Sequence, residues 1–195
     1  MKTKMRRILV ILMAVLVMTG AFTVCAFAEP GNDIRVLVTT ETTSRYTHFD
    51  KSLGYPMIRD DRTLCPLRAL GDSLDLQVDW DAPDRQAVFT KDESKTINGV
   101  DLRIVFEVRF TMDSSNLKQT YWIYTNGELY DSQSFDVPMD TKLVNKNDRV
   151  YAPARFLAES YGYDVGWDGP NRIVTINASD DWISYIMKEF GDIDV

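Results

Sequence analysis

Few side chains in this 195-residue chain could do covalent chemistry. It has one histidine, His48, and two cysteines, Cys25 and Cys65. A nucleophilic Ser or Cys needs a neighbouring base, and His48 is the sole imidazole available. A transition-metal centre draws on several imidazoles or thiolates, so His48, close to Tyr46 and Phe49, reads as a surface or core-edge residue. Cys65 lies in an apolar stretch and reads as a small buried hydrophobe, because a reactive thiolate needs an exposed, cationic setting. Asp60-Asp61 and Asp180-Asp181 are better explained as a turn and a helix cap than as a calcium site. Gly162, Gly166 and Gly169 punctuate turns and form no phosphate loop. The expectation is a non-enzyme with no cofactor and no metal.

Two polar or aromatic groups remain. Arg68 and Arg155 fall in the first turn of two short helices, where the dipole disfavours a cation, so an acid must offset them. Asp72 and Glu159 are in range, as are Asp81 and Asp168 beside Trp80 and Trp167. The expected arrangement is a structural Arg–Asp link from each helix to the hairpin after it, with the tryptophan packed against it. Anion binding by the arginines is the alternative. Trp122 and Tyr124 share one face of a strand. They pack in the core or, if exposed, form a candidate binding face able to stack on sugar rings.

The elements that position these residues come in duplicate. Arg62 to Phe89 aligns without a gap with Arg149 to Ile176, at a spacing of 87 residues (149 − 62). A repeat of this kind normally means one supersecondary unit used twice. In each copy, Asp60-Asp61 or Asn147-Asp148 marks a tight turn before a short strand. Pro66 or Pro153 suits the first helical position, since it lacks an N–H and its φ is fixed. Leu67, Leu70, Gly71 and Leu74 make one helix stripe; Ala154, Leu157, Ala158 and Tyr161 make the other. Gly162 can close its helix in the left-handed region. Asp75 does so less willingly, so the first helix is expected to end less cleanly. A strand pair follows each helix, turning at 81–84 and 168–171. Between the copies, Ile104, Phe106, Val108 and Phe110 share a strand face, and Asn126-Gly127 signals a hairpin. At the end, Ser179 or Asp180 caps a helix whose apolar face is Trp182, Ile183, Ile186, Met187 and Phe190. It docks on the domain or serves a partner. The fold class is α+β: antiparallel strands packed around short helices, two copies of a hairpin-helix-hairpin motif (55–90 and 137–177), and a C-terminal helix over 179–195.

Residues 1–28 carry four basic residues, an apolar run from Ile8 to Met18, and Ala26-Phe27-Ala28 as a cleavage site. This is a secretory signal pattern. An uncleaved anchor or a lipoprotein acylated at Cys25 are the alternatives. The whole chain is at −7, so removing the leader's four cations leaves −7 − 4 = −11 over 29–195. Such a surface repels nucleic acid and anionic membranes. The expected location is secreted or at the cell envelope, with no membrane span after cleavage and a cell-wall or envelope component as the partner class.

Pro66-Leu67-Arg68-Ala69-Leu70 with Val78-Asp79-Trp80-Asp81, and Pro153-Ala154-Arg155-Phe156-Leu157-Ala158-Glu159 with Val165-Gly166-Trp167-Asp168, resemble the copper amine oxidase N-terminal domain. So do Tyr55-Pro56-Met57-Ile58, Val137-Pro138-Met139 and Asn126-Gly127-Glu128. The resemblance spans about Tyr46 to Ile176. It implies an α+β stalk module that lies apart from the oxidase active site and that secreted bacterial proteins also use without a catalytic domain. The Asn-Tyr-acid-Tyr motif that gives those enzymes their modified tyrosine is absent from this sequence. Cys65, Gly71-Asp72 and Asp75 depart from the family pattern. The resemblance implies a place at the cell envelope; the reading adopted is a non-catalytic module with a structural or protein-interaction role, and a glycan or wall-polymer binding module using an exposed aromatic face is the alternative.

Overall fold

A computed structural model describes residues 33–190, without the side chains of 188–190. The leader at 1–28 and the helix-stopping Gly191 lie outside the described residues. Among the described residues antiparallel strands dominate, with three short helices.

The described residues open with β1 (Arg35–Thr39) and β2 (Ser44–Tyr46). Then come β3 (Met57–Arg59), β4 (Arg62–Pro66), α1 (Leu67–Ser73), β5 (Gln77–Asp81) and β6 (Gln86–Ile97). Two long strands, β7 (Val100–Thr111) and β8 (Asn116–Thr125), and the edge strand β9 (Glu128–Pro138) follow. The remainder is β10 (Val144–Lys146), β11 (Arg149–Pro153), α2 (Ala154–Ser160), β12 (Asp164–Asp168), β13 (Ile173–Asn177) and α3 (Trp182–Phe190).

The described strands form three sheets, ordered β12-β13-β1-β2, β10-β11-β4-β3 and β5-β6-β7-β8-β9. All pairings are antiparallel except β1 with β13. The middle sheet has the same order of elements from either end. At its centre Cys65 faces Ala152, the residue that corresponds to it at the 87-residue spacing, and both are fully buried. β4 and β11 therefore meet about an approximate twofold at two small, buried side chains.

Local chemistry explains the turns. Asp60 and Asp61, like Asn147 and Asp148, take positive φ between 51° and 57°, the two-residue hairpin geometry that short polar residues tolerate. Asn126-Gly127 does the same between β8 and β9, and so does Asn98-Gly99 between β6 and β7. The Asn98-Gly99 hairpin extends β6 through the polar stretch Lys91–Lys95, past residue 90, where the first motif copy was expected to end.

Pro66 and Pro153 are the last strand residues rather than the first helical ones. Their ψ values of 120° and 130° keep them in the ladder, and each caps its helix without a side-chain bond. Both helices have seven residues and end alike. Leu76 N–H donates to Gly71 O, and Tyr163 N–H donates to Ala158 O. Asp75 accepts the left-handed conformation (φ 56°) with its carboxylate on Arg45 at 2.6 Å, so the looser first helix end expected from sequence is not seen. At Gly162 a side chain would run into the Tyr185 ring of α3, so glycine is needed there for close approach as well as for its φ of 78°.

The core lies where the sheets and helices converge. Leu102, Ile104, Phe106, Val108 and Phe110 bury one face of β7. The Phe106 ring meets Tyr161 edge-on at 5.3 Å and Trp182 at 6.3 Å. Trp182, Ile183 and Ile186 are buried, so α3 packs on the core. Its cap is Asp181, whose carboxylate receives Ser184 N–H at 3.3 Å, rather than Ser179 or Asp180. Asp180 is taken up by Thr42, which donates both its N–H and its hydroxyl.

Candidate functional site: two tryptophan grooves

Each helix, with the hairpin that follows it, walls one side of a groove. The opposite wall is a turn hairpin from the other half of the molecule. Pro66, Leu67, Arg68, Val78 and Trp80 face Asn145, Asp148 and Arg149 in a cavity of about 420 Å³. Pro153, Ala154, Arg155, Val165 and Trp167 face Ile58, Asp61 and Arg62 in a cavity of about 490 Å³. The antiparallel β4–β11 pairing forces this exchange of walls, because it brings each half's turn hairpin beside the other half's helix.

The expected Arg–Asp links do not form. Arg155 Nη2 lies 2.5 Å from Asp140, which also accepts from Arg62 Nη2 at 2.6 Å. The hydrogen bond from Arg62, and then the Arg155 charge, hold the Asp140 carboxyl below the usual range. Arg62 is shifted upward by the same bond. One carboxylate thus joins an arginine from each half. Asp168 is instead occupied by the turn it opens, accepting Asn171 Nδ2 at 2.8 Å and Asn171 N–H at 3.2 Å, and these bonds lower its pKa. Asp81 faces Arg109 on β7 at 3.4 Å. Arg68 has no acidic partner among the described residues. The tryptophans are not packed beneath an arginine either. Trp80 and Trp167 are 45% and 48% exposed, and the Arg155 guanidinium lies over Phe156 at 5.2 Å.

Asp140 left no mark in the sequence, since the residue 87 positions before it is Leu53. The arginine that matches Arg62, Arg149 of the second half, is held by backbone of the first half instead. It donates to the carbonyls of Lys51 at 2.6 Å and Ser52 at 2.8 Å. Asp50 fixes that loop by accepting the N–H of Leu53 and the hydroxyl and N–H of Ser52, which press its pKa down to about 2.

Trp122 and Tyr124 lie on the face of β8 away from the core, half-buried, whereas Ile123 points into the core. The Arg103 guanidinium covers the Tyr124 ring at 5.5 Å and is itself paired with Asp92 at 2.5 Å. The more open indoles are those of the grooves, Trp80 and Trp167. His48 is exposed and 3.5 Å from Asp50, and no group of three or more metal-ligating side chains forms among the described residues. Burial raises the Cys65 thiol to about 12.

The model of the copper amine oxidase N-terminal domain matches residues 49–176 and 131–189. The chain belongs to that family. No curated protein and no solved structure matches the chain. The match is to the N-terminal domain and not to an oxidase catalytic domain. No helix among the described residues is long and apolar enough to cross a membrane.

Proposed function

We propose that the chain is an exported, non-catalytic module of the cell envelope, built from one hairpin-helix-hairpin unit used twice and serving a structural or protein-interaction role. The observation that carries this reading is the use of the recurrent arginines. Arg62 and Arg155 share Asp140, and Arg149 binds loop carbonyls. Most of the shared polar residues therefore hold the two halves in place and do not converge on a reacting centre. Residues 1–28 act as the export signal, and 29–195 form the working module. Fractionation of producing cells, with cross-linking of the processed chain, tests this. Recovery in the envelope with a cross-linked envelope component is expected. Recovery in the cytoplasm, or stoichiometric copper with amine turnover, refutes it.

A second reading, glycan or wall-polymer binding, is favoured by the two half-exposed tryptophans, each set in a groove beside an arginine. An indole face is apolar and flat, and its removal from water on a sugar ring is favourable. Trp122 and Tyr124, half-buried and partly covered by Arg103, are the lesser platform.

A further inference from the structure

The five-stranded sheet ends in a strand whose outer edge pairs with no other described strand. β9 has 11 residues and lies beyond β8. The other end strands, β12, β2, β10, β3 and β5, have three or five. A long free edge offers a row of N–H and C=O groups to another strand, and proteins usually guard it with lysine, proline or a bulge. β9 has no basic residue, and its proline, Pro138, is its last residue. Its bulge, at Tyr130, lies near one end and leaves 131–138 in regular register with β8. Leu129 and Tyr130, both 56% exposed, are the most open large apolar side chains among the described residues, and both lie on this strand.

We propose that β9 pairs antiparallel with the β9 of a second copy, about a twofold at Gln133, and so joins two five-stranded sheets into one. Opposed residues in a sheet point to the same face, so a twofold pairing centres on a residue. The charges select which one. A centre at Gln133 uses all 11 residues of the strand. Ser132 meets Ser134, Asp131 meets Phe135, Tyr130 meets Asp136 and Leu129 meets Val137. No acid faces an acid, and both exposed apolar side chains gain a neighbour. A centre at Ser132 sets Glu128 against Asp136, and a centre at Asp131 sets that carboxylate against its own copy. Like charges directly opposite are destabilising. A centre at Ser134 or beyond leaves Leu129 outside the pairing. Ser132 N–H, taken within the chain by Asp131 Oδ1 at 2.8 Å, passes to Ser134 O of the second copy. A strand-to-strand contact is at the small end of interfaces, so the association is weak and reversible. It uses β9 alone, and it stands or falls apart from the export and glycan readings.

The test is sedimentation velocity of the full chain, in the form the cell processes it to, over about 1–300 µM. A shift from monomer to dimer with concentration is expected. It should strengthen as salt rises, because two chains of net charge −7 repel. Gln133 is exposed, so its variants keep the fold, with far-UV circular dichroism as the check. Gln133→Glu and Gln133→Lys each set like charges against each other across the twofold, and each should weaken the dimer about fivefold or more. The two change net charge in opposite directions, which separates the local contact from overall repulsion. Mixed in equal amounts, they should associate more tightly than either alone, by a comparable factor. A monomer throughout the range, assembly beyond the dimer, a dimer indifferent to both variants, or variants that do not recover on mixing overturns the proposal.

Discussion

Replacing Trp182 by Ala tests whether α3 belongs to the cooperative unit. The side chain is fully buried, and Nε1–H donates to Tyr161 O at 3.3 Å. The ring packs against Phe106 and Tyr161, with the Lys91 ammonium 5.6 Å from its centre. A tryptophan removes about 150–250 Å² from water. At about 25 cal/mol per Å² this gives roughly 4–6 kcal/mol. That figure is an upper bound, because the denatured chain already hides part of the surface. Truncation to Ala should therefore cost about 3–5 kcal/mol, against a total stability of about 5–15 kcal/mol for a domain. Trp182→Phe keeps an aromatic ring in place but leaves Tyr161 O without its indole donor, so about 1–2 kcal/mol is expected. Urea unfolding followed by far-UV circular dichroism reads both, with the slope held as a check on cooperativity. A loss below about 0.5 kcal/mol for Trp182→Ala would mean that α3 is not coupled to the core, and the packing argument would fail.

Four further outcomes follow from the geometry. Asp140 titrates below its unfolded value, so its contribution is present above about pH 4 and is lost as pH falls through the lowered folded value. Asp140→Asn should lower the urea midpoint near neutrality and flatten its fall in acid; an unchanged acid limb would contradict the clamp. Cys65, buried with its pKa near 12, should resist a thiol reagent at pH 8 until the chain unfolds, and rapid native labelling would contradict the burial. Gly71→Ala places a Cβ 2.6 Å from Val78 Cγ2 and 2.8 Å from Phe89 Cε1, so thermal unfolding should show a loss of about 1–3 kcal/mol. An unchanged or raised melting temperature would show that the site can relax. Ala152→Cys faces Cys65 across β4 and β11, at a Cα separation of about 4.5–5.5 Å expected for such partners. Mild oxidation should join the two, seen as loss of both thiols by mass spectrometry, and persistent free thiols would contradict the register.

Much of the frame was legible because it depends on local rules. The paired Asp60-Asp61 and Asn147-Asp148, the Asn-Gly turn at 126–127 and the helix stripes each act over a few residues, and the structure places a turn or a buried face at each. The Asn98-Gly99 turn carried the same signal. It escaped because the polar run of Lys91–Lys95 does not look like strand, yet a long hairpin partner in β7 supplies its hydrogen bonds. Gly71, where the second helix has Ala158, is explained by the Phe89 ring, a contact between elements 18 residues apart that spacing alone does not show.

By itself the sequence determined the elements, since turn geometry and apolar periodicity are short-range constraints that each stretch satisfies on its own. Tertiary structure decided the partners. Arg155 was read with Asp168 because the two are close in sequence and recur together, but the carboxylate within its reach is Asp140, brought in by the loop before β10. Trp80 and Trp167 were read as packed, and the exchange of hairpins across the Cys65–Ala152 contact leaves them on open grooves. Side-chain pairing and exposure depend on where distant segments come to rest, and no local rule encodes that.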